Sequence, residues 1–407
     1  MAGVSTTVRE RESSAPIKLL ITAVGYPSEG SPAGVFHQEQ FRQIAAAGFD
    51  VTVVVPTPWV PPPLRADSRW RKYVDVPAEQ IDGEIRILRP RYFTVPRENR
   101  WFAPDLAQYV SVRSLRLPRP ALVHGFHILP LGALAGYLAK GYDVPFLTTA
   151  LGDDVNVYPQ LNRRNARLLR NTVAKAAKTY ANGATLAATT RRLTGLPVEN
   201  LPIGVSTARF ANLPPKHEAR ARLGLPVGRT LALYVGRMVA GKGIEELAAA
   251  LDALRETSLT GVAIGGGPLL CLLEGRDNVI LLGPRSPDEV AIAMAAADFL
   301  VLPSHSEGLP TVLMEAAFAR LPIITTDAPG CIDLAAEGRG VMVPVGDAGA
   351  LARAFRAAIE GRLAMQAHAE AMFVYAQANC ALERNTQRLI EDYRMLVAAD
   401  RATKSER

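Results

Sequence analysis

Cysteine is scarce in this chain: Cys271, Cys331 and Cys380 stand alone, with no Cys-x-x-Cys spacing among them. That excludes a disulfide framework and a cysteine-built metal site, and it fits a reducing compartment. The expectation is three small buried hydrophobes. Aromatic residues are also few, at 6% of 407 residues. No apolar run reaches the roughly 20 residues that a membrane-spanning helix needs. The opening stretch MAGVSTTVRERESSAPIK lacks the apolar core of a secretion signal. Residues 1–16 therefore read as a disordered lead-in and the protein as cytoplasmic. No low-complexity tract and no repeat of solenoid period is evident.

What is present is a chain longer than one hydrophobic core usually organises, which predicts two domains. An apolar fraction of 48% with 21% charged residues fits a globular α/β protein. The net charge of +7 is uneven. Residues 1–207 hold 25 Lys and Arg against 16 Asp and Glu, whereas residues 208–407 hold 21 against 23. An anionic partner would thus be met by the first half.

The apolar run IKLLITAV (17–24) ends in Gly-Tyr-Pro, a buried strand followed by a loop. HQEQFRQIAAAGFD and VTVVVP continue as helix and strand, a βαβ opening. Residues 56–101 break the pattern, being Pro-rich and then Arg-rich with interleaved aromatics. Alternation resumes with ALVHGF, a helix near 129–139, VPFLTT and a helix near 162–178. The Pro- and Gly-bearing stretch 201–230 marks a junction, after which TLALYVG opens a second alternating series. The division expected is 17–205, 206–378 and a terminal helix over 379–407 that packs back toward the first domain. Two such series imply two doubly wound domains facing each other across a cleft, with ligands at the carboxyl ends of strands.

The chemistry concentrates in two stretches. In YVGRMVAGKGIEEL (234–247) a strand ends at Gly236, Arg237 follows at once, and Lys242 lies between two glycines at a helix start. Backbone N–H groups there favour phosphate, and the two cations suit a diphosphate. This is neither a Walker A loop nor a G-x-G-x-x-G fingerprint. In SEGLPTVLMEA (306–316), Glu307 and Glu315 flank the start of an apolar helix, where a carboxylate is costly unless it is used. Asp153 and Asp154 are adjacent but have no Asp-x-Asp, ligand-spaced His or third carboxylate, so no metal site is expected.

Arg237-x-x-x-x-Lys242-Gly followed by Glu307-x₇-Glu315 resembles the retaining glycosyltransferases of family 4, which have the GT-B fold: two Rossmann-like domains across a cleft. YPSEGSPAGVFHQEQ (26–40) is similar to the acceptor-side loop of members that build polysaccharide and teichuronic acid. The resemblance extends over nearly the whole chain. It implies a nucleotide-diphospho-sugar donor, with Arg237 and Lys242 on its diphosphate and Glu307 on the sugar hydroxyls. The backbone amides from Gly308 through Leu309 and Pro310 to Thr311 would point into the sugar and phosphate region, and Glu315 would hold the ribose. Gly34 would let the first domain approach the phosphates, while Gly283 and Arg285 would meet the nucleobase. His127, or failing it His124, would face the sugar. Asp154 and His124 fall on the acceptor side.

The family's usual basic residue is replaced by Leu151, and its junction motif is changed at Ile203 and Ser206. No cofactor and no metal beyond the substrate is implied. The basic and aromatic stretch 65–101 (Arg65, Arg69, Arg71, Lys72, Arg86, Arg89, Arg91, Arg97, Arg100) carries no nucleic-acid motif. Read from its residues it is either a solvated surface or a functional one; with the basic helix NRRNARLLRNTVAKAAK, the resemblance implies a lipid-diphosphate or glycan acceptor and the anionic inner leaflet of a membrane. The alternatives are a catalytically weak nucleotide-sugar-binding subunit, kept open by Leu151, and a GT-B epimerase or phosphorylase.

Overall fold

The computed structural model describes residues 15–29, 34–66, 70, 73–94, 104–361 and 364–406. The first sheet begins with β1 (Ile17–Thr22) and β2 (Phe49–Val54). Two-residue β3 (Thr57–Pro58) and β6 (Arg91–Tyr92) pair apart from it. Between them lies the antiparallel hairpin β4 (Glu79–Asp82) and β5 (Ile85–Leu88). Then follow β7 (Leu122–Phe126), β8 (Phe146–Ala150), β9 (Lys178–Ala181) and β10 (Glu199–Asn200). The order across the sheet is β10-β9-β8-β7-β1-β2-β5-β4. Apart from β4 its strands are parallel, which is why the central ones read as unbroken apolar runs buried on both faces.

Side chains alternate between those faces. Leu19 and Ile21 pack with Phe41 and Ile44 of the helix Val35–Ala46, while Leu20 packs with Leu134 and Leu138 of the helix Ala133–Tyr142. Each such fully buried side chain contributes about 1.5–3 kcal/mol of transfer free energy.

The second sheet contains β11 (Thr230–Val235), β12 (Leu259–Ile264), β13 (Val279–Gly283), β14 (Phe299–Leu302), β15 (Ile323–Thr326) and β16 (Val341–Val343). Its order is β13-β12-β11-β14-β15-β16, and all its pairs are parallel. The chain therefore reverses its direction of travel between β11 and β14, as the first sheet does between β1 and β7. Those two switch points are where loops splay apart and leave room for a ligand.

Two strands of chain cross between the sheets side by side. Val205 N–H donates to the Cys380 carbonyl at 2.9 Å, and Leu382 N–H donates to the Val205 carbonyl at 3.1 Å. Gly204, at φ +87°, approaches so closely that a Cβ there would lie 2.6 Å from the Cys380 oxygen. The last helix, Leu382–Ser405, then lies on the first sheet through Leu389, Ile390, Tyr393 and Val397.

Some expectations need correction. Cys331 and Cys380 are buried, but Cys271 is exposed, in a short turn after β12. The helix expected from 129 starts at Ala133, because residues 128–132 form a separate turn after β7. The irregular stretch 56–101 contains the hairpin β4–β5. The lead-in to residue 14, and Arg69, Arg71, Lys72, Arg97 and Arg100, lie outside the described residues.

Candidate functional site

At the switch point of the second sheet, two loops touch. Gly243, at φ +69°, opens the helix Ile244–Asp252, and a Cβ there would sit 2.0 Å from the Pro303 carbonyl oxygen. Only glycine permits that approach. The His305 N–H donates to the Gly241 carbonyl at 2.9 Å, fixing one loop against the other. Across this seam Lys242 Nζ meets Glu307 Oε1 at 2.6 Å, both side chains largely shielded from solvent. Beneath the loop, Tyr234 Oη donates to the Arg237 carbonyl at 3.0 Å. The helix Thr311–Phe318 starts directly behind Pro310, so its first N–H groups have no partner within the helix.

Glu315 lies on the second turn of that helix. Burial pushes its carboxyl up to about 7, with Arg209 pulling weakly the other way. Among the described residues its carboxyl makes no ion pair and no hydrogen bond. A carboxyl so placed is poised to accept or donate a hydrogen bond to a neutral ligand group.

These residues surround one cavity of about 470 Å³. Gly236, Arg237, Lys242, Glu307, Gly308, Leu309, Pro310, Thr311 and Glu315 form its second-domain wall. Phe36, Leu151 and Asn182 face them from the first domain. A smaller recess of about 140 Å³ shares Phe36, Thr311 and Glu315 and extends toward Ser206 and Arg209.

The two walls are held in contact. A Cβ on Gly308 would meet the Leu151 carbonyl oxygen at 2.3 Å. Asp333, on the short helix Cys331–Ala335, accepts from Thr185 N–H at 3.0 Å and from the Thr185 hydroxyl across the cleft. Glu307 N–H donates to the Pro329 carbonyl at 3.2 Å, so the segment carrying Asp333 also supports the Glu307 loop.

The remaining sequence candidates do not line the cavity. His127 follows β7 at φ +90°, its Nδ1 2.9 Å from the Leu129 carbonyl and its Nε2 3.8 Å from Asp154. Asp154 is fully buried and accepts from the N–H groups of Ile128, Leu151 and Gly152. It ties the loop after β7 to the loop after β8. His124 is fully buried as well, bonded to Tyr393 Oη and Thr149 Oγ1, and burial pushes its pKa down to about 3. It is a neutral core histidine with no surface open to a ligand.

Gly34 has φ +83°, and a Cβ there would lie 2.2 Å from the Gly25 oxygen, so its own loop packing already demands glycine. Gly283 closes β13 with open space where a Cβ would point, and Arg285 pairs with Glu289 in the capped start of the helix Pro287–Ala296.

Phe36, Asn182 and Asp333 escaped the sequence reading. Asn182 follows β9 within Asn-Gly, at the carboxyl edge of the sheet, and that position was a usable signal. Phe36 stands beside Val35 at the head of the otherwise polar HQEQ turn, an apolar pair that the helix does not bury. Asp333 had no local signal. Among the described residues no group of three or more His, Cys, Asp or Glu is placed to hold a metal ion, and no helix is long and apolar enough to cross a membrane.

Comparison with known proteins gives the same picture at the level of family. Residues 215–376 match the family Glycosyl transferases group 1, and residues 33–204 match the Glycosyl transferase 4-like domain. The Bacillus subtilis protein TuaC, named for a teichuronic acid biosynthesis glycosyltransferase, is 33% identical over 381 residues, covering 92% of this chain and 97% of its own. A glycogen synthase of Mycobacterium tuberculosis is 26% identical over 358 residues, covering 81% and 82%. Among solved structures, sucrose-phosphate synthase from Thermosynechococcus elongatus superposes with TM-score 0.74 at 20% identity, covering 94% of this chain and 100% of that one. Anabaena HepE in complex with UDP superposes with TM-score 0.69 at 16% identity, covering 93% and 100%. At such identities the solved structures speak to the fold, which is GT-B.

Proposed function

The chain belongs to the group 1 glycosyltransferases, with a glycosyl transferase 4-like first half, and on that premise we propose a retaining transfer from a nucleotide-diphospho-sugar. The observation that carries the proposal is the single cavity in which Arg237, Lys242, Glu307 and Glu315 converge. Two cations suit a diphosphate, and two carboxyls suit neutral hydroxyls on either side of it. HepE is solved with UDP and with UDP-glucose, which makes a UDP-sugar the first donor class to examine.

On donor arrival Lys242 exchanges its Glu307 partner for phosphate, and Glu307 is freed to accept from sugar hydroxyls. Arg237 and Lys242 then stabilise the charge that grows on the leaving diphosphate as the bond from sugar C1 to phosphate oxygen breaks. The acceptor oxygen attacks from the same face, and its proton passes to the departing phosphate. The cationic pair takes over charge neutralisation, so no divalent cation and no cofactor is required. His127, held by Leu129 and close to Asp154, stands on the first-domain side of the reaction.

The acceptor hydroxyl is assigned to a lipid-linked or surface polysaccharide, in line with the TuaC likeness. The helix Arg163–Lys175, which has five basic residues and no acidic one, supports contact with anionic lipid. Transfer from a panel of UDP-, GDP- and ADP-sugars, run with a chelator present, should retain anomeric configuration and persist without metal. Leu151, an apolar residue on the cavity wall, favours one other reading, a subunit that binds donor without turning it over. Donor binding with no transfer to any acceptor would select it.

A further inference from the structure

The described arginines between residues 65 and 91 divide into two kinds. Arg86 is exposed and paired with Glu79. Arg65, Arg89 and Arg91 have no carboxylate partner among the described residues. Arg89 is 3% exposed, yet its guanidinium donates only to neutral acceptors: the Tyr26 carbonyl at 3.0 Å, Gln80 Oε1 at 2.8 Å and the Pro77 carbonyl at 3.3 Å. Arg91 donates to the carbonyls of Tyr73 and Val76, and Arg65 to that of Val60. The nearby Asp82 is already taken by Tyr26, Gln38 and Arg42.

Burial and the charge of Arg91 hold Arg89 below the ordinary arginine range, and burial and Arg65 do the same to Arg91. Arginine nevertheless stays charged. Three like charges with no counter-charge among the described residues, one of them deeply buried, are costly to keep unless an anion completes them.

A cavity of about 210 Å³ lies against Arg89, at the carboxyl ends of β1, β2 and β5. Tyr26, Pro56, Pro58 and Tyr73 form its walls, and it shares no lining residue with the donor cavity. It opens on the edge of the first sheet that also carries His127.

We propose that this cavity is an acceptor subsite, in which Arg89, backed by Arg91 and Arg65, takes a phosphate or carboxylate group of the acceptor while the aromatic and proline walls face its sugar or linker. The inference rests on the reading of the first domain as the acceptor side. A rigid guanidinium fork matches either oxyanion, and the apolar rings supply the contact area that a neutral ring needs. Sequence alone showed only a basic, aromatic stretch; the structure separates the sequestered Arg89 from the exposed, paired Arg86.

The test uses the full chain carrying Lys242→Ala, which disables the donor diphosphate site, and follows thermal stabilisation by inorganic pyrophosphate, glucuronate and neutral glucose. Pyrophosphate or glucuronate should stabilise and glucose should not. Response to pyrophosphate alone assigns a diphosphate-linked acceptor, and response to glucuronate alone assigns an acidic glycan. Adding Arg91→Gln should weaken the anion response at least about fivefold, and Arg89→Met should abolish it. If Arg89→Met does not fold, Arg91→Gln decides. An anion response that Arg91→Gln leaves unchanged, equal stabilisation by glucose, or no anion response at all overturns the proposal. Because the donor site is already disabled, that failure would leave the donor reading standing, and loss of donor binding by the wild type would leave this cavity untouched.

Discussion

Glu315 shows how a single residue can be tuned by its place in a helix. Its carboxyl has a pKa near 7 in the folded protein, against an ordinary value of 4.5, because burial penalises the charge. Between those values the native state holds more proton than the unfolded chain, so this group's contribution to stability falls as pH rises from about 4.5 to about 7. Glu315→Gln should therefore melt above wild type at pH 8, by about 1–3 kcal/mol, and lose that advantage at pH 5. Parallel melting curves at both pH values would contradict the assignment. The two glutamates and two cations were legible in the sequence because each pair sits in one short loop after one strand. The histidines were less so. His124 and His127 are three residues apart, but β7 ends at Phe126: the first is inside a strand buried on both faces, and the second falls past its end. Locating that end decides which of them can meet a ligand.

Elements matter where loops from different sheets must touch. Gly308 against Leu151, and Asp333 against Thr185, bring the first-domain wall onto the Glu307 loop of the cavity. Gly308→Ala would force its loop off the Leu151 carbonyl, and a displacement of about 1 Å is enough to cost roughly 100-fold in kcat. Asp333→Ala should lower kcat/KM about 10-fold or more, since hydrogen bonds to a charged acceptor are each worth about 1.5–3 kcal/mol. Thr185→Val should add little in that background, because the pair acts as one contact; strictly additive losses in the double mutant would contradict it. None of these partners could be read locally. The contacts join residues about 150 positions apart, and glycine spacing signals close approach without naming what approaches.

At the scale of the whole molecule, the last helix makes the first domain depend on the far end of the chain. Tyr393 reaches His124, and Asp392 accepts from Lys178 at 2.9 Å and from Tyr180. Tyr393→Phe should lower the unfolding free energy by about 1–3 kcal/mol, because it leaves a buried His124 nitrogen without a partner; denaturant titration with no change would place that nitrogen in contact with something else. The alternation of strands and helices made both sheets legible, and the second glycine loop located the half that carries Arg237 and Lys242. The pairing of the terminal helix with the first sheet rests on contacts more than 200 residues apart, which no periodicity reveals. The central claim, that one cavity binds a nucleotide-diphospho-sugar through Arg237, Lys242, Glu307 and Glu315, is tested most directly by the melting temperature of the full-length protein against UDP-, GDP- and ADP-sugars. At least one donor should raise it in wild type, and Lys242→Ala and Glu315→Ala should each abolish the rise. A wild-type-like response in both variants would contradict the site.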